Sequence, residues 1–265
     1  MKSIFTIATL LLMNFAFAQF PKKDPTLLKG YKIEVKALTE SQLKYTSGYE
    51  HFFSDPDGMK IYMGNDKRRT KPDALGGRVF KVVDVTAEKP SYSMYVNYTL
   101  KLEGDGETVY YKYEQGNAVH VNPVNFTLPD DYYCSYVTED RDSEGHKKFI
   151  AEEQFMYRAY KVYGLDSYGY AIELMTSIDS NETGKGVTIV LDNGKKIVRP
   201  NLQVEMDDSG RTSQFNVLFL LTDEEVNLLA NNKVLSYTLY KHEQTMYKSF
   251  APVLQGIFKC LLTKK

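Results

Sequence analysis

The sequence predicts a β-rich α+β protein, with antiparallel hairpins in sandwich-like sheets and two helices near the C-terminus. Three observations carry this expectation. Apolar and polar residues alternate along 94–103 and are closed by Asp105-Gly106; a second strand-turn-strand pattern surrounds Asn193-Gly194; and a capping box at Thr222 precedes an amphipathic C-terminal run. The chain has 265 residues, 43% hydrophobic and 25% charged, enough for one large core or two smaller ones. Its 33 Lys and Arg against 34 Asp and Glu leave no basic excess, so nucleic acid is not an expected partner.

The first element is an address. Lys2, an apolar run from Ile4 to Ala18 and the ending Ala16-Phe17-Ala18 form the pattern of a secretory signal peptide over 1–18. The run is shorter than the roughly 20 apolar residues a membrane helix needs, so cleavage before Gln19 is expected over retention as an anchor. The mature chain then has no transmembrane segment and resides in the periplasm or outside the cell. Export permits a disulfide, and Cys134 and Cys260 are the only cysteines. They either pair or remain two separate buried thiols. Asn-x-Thr sequons stand at Asn97, Asn125 and Asn181 and matter only in a host that glycosylates secreted chains.

Along 94–103, Met94, Val96, Tyr98, Leu100 and Leu102 share one face. Asp105-Gly106 is a type I′ turn signal, and pairing Leu102 with Val109, Leu100 with Tyr111 and Tyr98 with Tyr113 keeps every apolar partner on that face. The second hairpin is expected to set Asp192 against Lys195, Val190 against Ile197 and Ile189 against Val198, covered on both sides. Asp55-Pro56-Asp57-Gly58 and Asp208-Ser209-Gly210 mark further turns, the latter before a strand over 215–221. Thr222 with Glu225 opens one helix, and Ser249 is the expected N-cap of another over about 250–262. The hexapeptide at Leu38-Thr39 echoes that at Leu221-Thr222. Seven charges in residues 138–148 predict an exposed loop or linker between β-rich modules at 27–137 and 149–263, with a single larger sandwich as the rival.

No catalytic signature assembles. None of His51, His120, His146 and His242 sits in a zinc-helix motif, the segment 164–169 is not a nucleophile elbow, and Gly184-Lys185-Gly186 lacks the rest of a phosphate loop. Asp140, Asp142 and Glu144 before Gly145 approximate the start of a calcium loop, but Ala151 occupies the position of its bidentate acid; a solvated loop competes with that reading. No other cofactor is indicated. The basic run 67–71 is expected to be an exposed, protease-sensitive loop. Tyr95 and Tyr110, both off the buried face, are candidates for an aromatic patch contacting a glycan or protein partner, or else shield the sheet.

The leader, the tyrosine-rich strands and the segment 187–240 with its Asn193-Gly194 turn and Leu221-Thr222 helix start resemble exported proteins of Gram-negative bacteria with no assigned activity. The resemblance transfers no site residues. The expectation is therefore a non-enzymatic binding or structural protein of the periplasm or cell exterior. The alternative is a secreted hydrolase whose two carboxylates lie far apart in sequence and leave no local motif.

Overall fold

The structure is a computed structural model that describes residues 19–265 except 66, 92, 94, 153, 155, 165–166, 178–181 and 208–213. The leader, Met94, the Asn181 sequon, the Asp208-Ser209-Gly210 turn and part of the 164–169 segment thus lie outside the described residues. The fold is β-rich α+β with antiparallel sheets. The chain divides into two compact units between Leu128 and Pro129, ahead of the stretch expected to link them. Among the described residues, no helix is long and apolar enough to cross a membrane.

The first unit contains β1 (Lys32–Val35), α1 (Glu40–Tyr45), β2 (Phe52–Phe53), α2 (Pro72–Leu75), β3 (Val79–Glu88), β4 (Asn97–Gly104), β5 (Glu107–Glu114) and β6 (Val121–Val124). Its six strands form one antiparallel sheet in the order β2-β5-β4-β3-β1-β6. The β4–β5 register is the one the alternation requires, with Leu102 opposite Val109, Leu100 opposite Tyr111 and Tyr98 opposite Tyr113. Asp105 and Gly106 both have positive φ, 53° and 78°, as a type I′ turn demands. Leu100, Leu102, Val109 and Tyr111 are buried with Ile33, Phe80 and Val82. Burial pushes the Tyr111 phenol up to about 12, and its oxygen accepts the His120 N–H at 3.2 Å. The Leu38-Thr39 echo has a physical basis. Thr39 and Gln42 close a capping box on α1, as Thr222 and Glu225 do later in the chain. In the basic run Lys67, Arg68 and Lys71 are exposed as expected, but the loop is tied down at Thr70, which is fully buried and exchanges backbone hydrogen bonds with Tyr49.

The second unit contains β7 (Val137–Arg141), β8 (Lys147–Ala151), β9 (Tyr157–Gly164), β10 (Ser167–Ser177), β11 (Lys185–Leu191), β12 (Lys196–Gln203), β13 (Glu205–Asp207), β14 (Gln214–Leu221), α3 (Asp223–Asn231), β15 (Val234–Leu239), β16 (His242–Thr245) and α4 (Ala251–Thr263). One sheet runs β13-β14-β10-β9-β8-β7 and a second runs β12-β11-β15-β16. Residues 138–148, expected as a loop or linker, are instead most of the β7–β8 hairpin. Their charges pair between the strands, Glu139 with Lys147 at 3.1 Å and Asp140 with Lys148 at 3.0 Å, while the buried side chains of the hairpin, Phe149 and Ala151, follow this charged stretch.

The second hairpin differs by one residue from the expected register. Ile189 faces Ile197 and Thr188 faces Val198, because Asp192-Asn193-Gly194 is a three-residue loop with Gly194 at φ 80° rather than a two-residue turn. The corrected register puts Val187, Ile189, Leu191 and Ile197 on a single buried face and leaves Val198 exposed, so the hairpin is covered on one side only. In α4 the expected cap Ser249 is one residue early. Phe250 occupies the N-cap position without a side-chain bond, and the preceding turn supplies carbonyl acceptors from Tyr247.

Two charged side chains hold the helices of this unit. Lys161 on β9, 7% exposed, donates from Nζ to the carbonyls of Leu261 at 3.3 Å and Lys264 at 2.5 Å, at the negative end of α4 and near the rings of Tyr168 and Tyr170. Lys161→Met is expected to leave these carbonyls without their donor and lower stability by about 1–3 kcal/mol. A urea melt checks this, with a lower midpoint at unchanged slope as the expected outcome.

Arg199 grips Glu225 through both guanidinium nitrogens, at 2.7 and 2.6 Å, while Glu225 also accepts the Thr222 N–H at the start of α3. The Arg199 hydrogen bonds hold the Glu225 carboxyl below its ordinary value against the opposing effect of burial. A depressed carboxylate contributes stability that is fully present above its unfolded pKa and is lost as pH falls through the folded value. Glu225→Gln should therefore destabilise by about 1–2 kcal/mol at pH 7. The difference from wild type should close as melts are taken to pH values below the ordinary carboxylate range.

Candidate functional site

A polar cleft of about 370 Å³ opens on the face of the first sheet opposite its core. Strand pairing builds it in two cross-strand rows. Thr86, Thr99 and Lys112 stand side by side on β3, β4 and β5, and Glu88, Asn97 and Glu114 form the next row, with His51 and Asn117 closing the ends. Adjacent strands are about 4.8 Å apart, so Glu88 and Glu114 flank Asn97 with their backbones about 10 Å from each other.

A β-bulge puts Thr86 and Glu88 there. The β3–β4 register slips between Val82 and Asp84, so Val82 faces Leu102 while Asp84 faces Lys101. Before the slip the even-numbered residues Phe80 and Val82 point into the core. After it Val85, opposite Leu100, packs against the core, and Thr86 and Glu88 are exposed. A bulge also bends its strand, which deepens the surface beside it.

Four lining side chains are uncommitted. Among the described residues, Thr86, Glu88, Asn97 and Thr99 make no side-chain hydrogen bond within the protein. The others are held. The Lys112 amine donates to the Asp57 carbonyl at 2.7 Å, the Asn117 amide reaches Glu114 at 3.5 Å, and His51, at φ 68°, lies 3.5 Å from Glu50. The cleft therefore offers hydroxyl, amide and carboxylate groups, with its one ammonium turned to a backbone oxygen.

Tyr95 stands at the rim. Val96 packs against the core, Asn97 opens β4 as an exposed residue, and Tyr95 lies in the bend just before that strand. The Tyr95 ring lies beside Gly116, next to the lining residue Asn117, and is 47% exposed. Tyr110 shares this face but lies opposite Lys101, six residues farther along and thus about 20 Å away. The structure does not bring Tyr95 and Tyr110 together. Their parity is the same, but the pairing register separates them.

The other sequence candidates lie in the second unit. Asp140, Asp142 and Glu144 do not converge. Asp140 is bound to Lys148, and the Asp142 carboxylate accepts the N–H groups of Glu144 at 2.9 Å and His146 at 2.8 Å, capping the hairpin turn. Among the described residues, no group of three or more His, Cys, Asp and Glu is placed to hold a metal ion. Cys134 and Cys260 are bonded, with their Cα atoms 5.3 Å apart. A second concavity, about 330 Å³ and apolar, lies on the outer face of β9, β10 and β14, where Tyr160, Val162 and Ala171 adjoin Leu218 and Leu220, exposed to 59% and 68%.

Sequence reasoning found no motif around His51 and left Asn97, Thr99 and Lys112 off the apolar face of a half-buried hairpin. The alternation showed that they share a side. It did not show β3, whose bulge delivers Thr86 and Glu88 beside them. No protein-family model, curated protein or solved structure matches this chain.

Proposed function

We propose that this is an exported, non-enzymatic binding protein of the periplasm or cell exterior, and that its ligand occupies the cleft between His51 and Asn117. The observation that carries the reading is the set of uncommitted polar side chains, Thr86, Glu88, Asn97 and Thr99, in one concavity on a rigid sheet. The signal-peptide pattern and the Cys134–Cys260 bond support maturation in an oxidising compartment. The test is the melting temperature of the full chain with the low-molecular-weight fraction of its host's envelope, beside a Glu88→Gln, Asn97→Ala, Thr99→Ala triple variant. A ligand that binds only the folded state raises the wild-type midpoint by several degrees and leaves the variant unmoved. Equal responses in the two proteins overturn the proposal.

A second reading, a carboxylate-dependent hydrolase, draws on the presence of both Glu88 and Glu114 in the cleft. Both are exposed, on strands whose backbones stand about 10 Å apart. That reading requires turnover of a bound ligand, abolished by Glu88→Gln or Glu114→Gln alone. Binding without turnover is the outcome expected.

A further inference from the structure

Resting on the reading of the cleft as a binding site, we infer that its ligand is a neutral saccharide whose ring packs against Tyr95 while its hydroxyls bond to the Thr86–Thr99 and Glu88–Asn97 rows. Three features of the site point to that chemistry. The first is the type of group on offer. Hydroxyls, a side-chain amide and carboxylates together can both donate to and accept from vicinal hydroxyl groups, and in Thr86, Thr99, Glu88 and Asn97 they are free to do so. Their spacing follows the pleat, so neighbouring strands present partners about 4.8 Å apart, a step that matches hydroxyls on opposite edges of a single sugar ring.

The second feature is charge. Glu88 and Glu114 bring two negative charges, and the Lys112 ammonium is drawn away to Asp57 and over the Phe53 ring. An anionic ligand would meet a net negative charge, which disfavours phosphates and uronic acids relative to a neutral ligand. The acids do not converge on a point that could hold a metal ion, since Asn97 stands between them in the row. The third feature is Tyr95. An exposed phenol ring beside Gly116, next to the lining residue Asn117, provides an apolar plate for the C–H face of a pyranose. The cleft volume, about 370 Å³, is on the scale of one or two sugar units, so a longer chain would run past the rim at Tyr95.

The experiment is isothermal titration of the full chain with cellohexaose, maltohexaose, xylohexaose and chitohexaose, and with oligogalacturonate as the anionic member. At least one neutral hexasaccharide is expected to bind and oligogalacturonate to give no heat. Tyr95→Ala should weaken binding about five- to tenfold, a loss of roughly 1–1.4 kcal/mol, while Tyr95→Phe stays within about twofold because the ring is kept. Preference for oligogalacturonate, or no binding by any neutral member, overturns the saccharide assignment. An unchanged affinity in Tyr95→Ala also overturns it as stated. In each of those cases the triple cleft variant, compared with wild type in envelope fraction, still decides separately whether the cleft binds anything.

Discussion

Replacing Cys134 and Cys260 together by serine is expected to lower the stability of the second unit by about 3–5 kcal/mol and its melting midpoint by about 10 °C. The bond joins residues 126 apart in sequence, so it closes a loop that spans nearly the whole unit. A crosslink of that length removes a large share of the conformations open to the unfolded chain. It also ties the short 3₁₀ turn Tyr132–Tyr136 to the last turn of α4, the same end whose carbonyls Lys161 holds. Melts of wild type with and without a reductant, beside the double serine variant, check the account. Reduced wild type should fall to the midpoint of the variant, and the variant should not respond to reductant.

Gly256→Ala should be strongly destabilising. In an open helix this change stabilises by up to about 1 kcal/mol. Here a Cβ would lie 2.0 Å from Cδ2 and 2.4 Å from Cγ of the Tyr133 ring. Tyr133 cannot withdraw easily, because its neighbour Cys134 is bonded to Cys260, one helical turn beyond Gly256. The expected cost is about 2–3 kcal/mol, from overpacking. In a Tyr133→Ala background the same substitution should become neutral or favourable. A double-mutant cycle read by urea melts measures the sign reversal, and an unchanged cost in the alanine background would contradict the close approach.

The elements most legible in the sequence were those specified by neighbouring residues. Asp105-Gly106 set the β4–β5 register because turn chemistry and alternation agreed, and Thr222 with Glu225 announced α3 because a capping box is a local device. Asn193-Gly194 misled by one residue, since the same dipeptide closes a three-residue loop when the glycine forms a bulge. Residues 138–148 looked unable to pack because their partners are charges on the two strands of a hairpin, Asp140 opposite Lys148 and Glu139 diagonal to Lys147, rather than an apolar stripe.

The candidate site was half visible. Asn97, Thr99 and Lys112 could be placed on one face by counting, and Tyr95 joined them by the same parity. Thr86 and Glu88 could not, because a bulge inverts the inside–outside pattern of β3 and no alternation survives across Val83 to announce it. Gly256 gave no warning either. A glycine inside an apolar helix reads as a propensity defect until the ring of Tyr133, 123 positions earlier in the chain, is found filling the space.

The most direct measurement of the central claim is an amide-resolved NMR titration of the full chain with the envelope fraction that raises its melting temperature. Perturbed amides are expected to cluster at Thr86, Glu88, Asn97, Thr99 and Asn117, with little change in the second unit. Perturbations centred on Leu218 and Leu220, leaving the β3–β4–β5 rows untouched, would contradict the assignment of the polar cleft as the place where this protein meets its ligand.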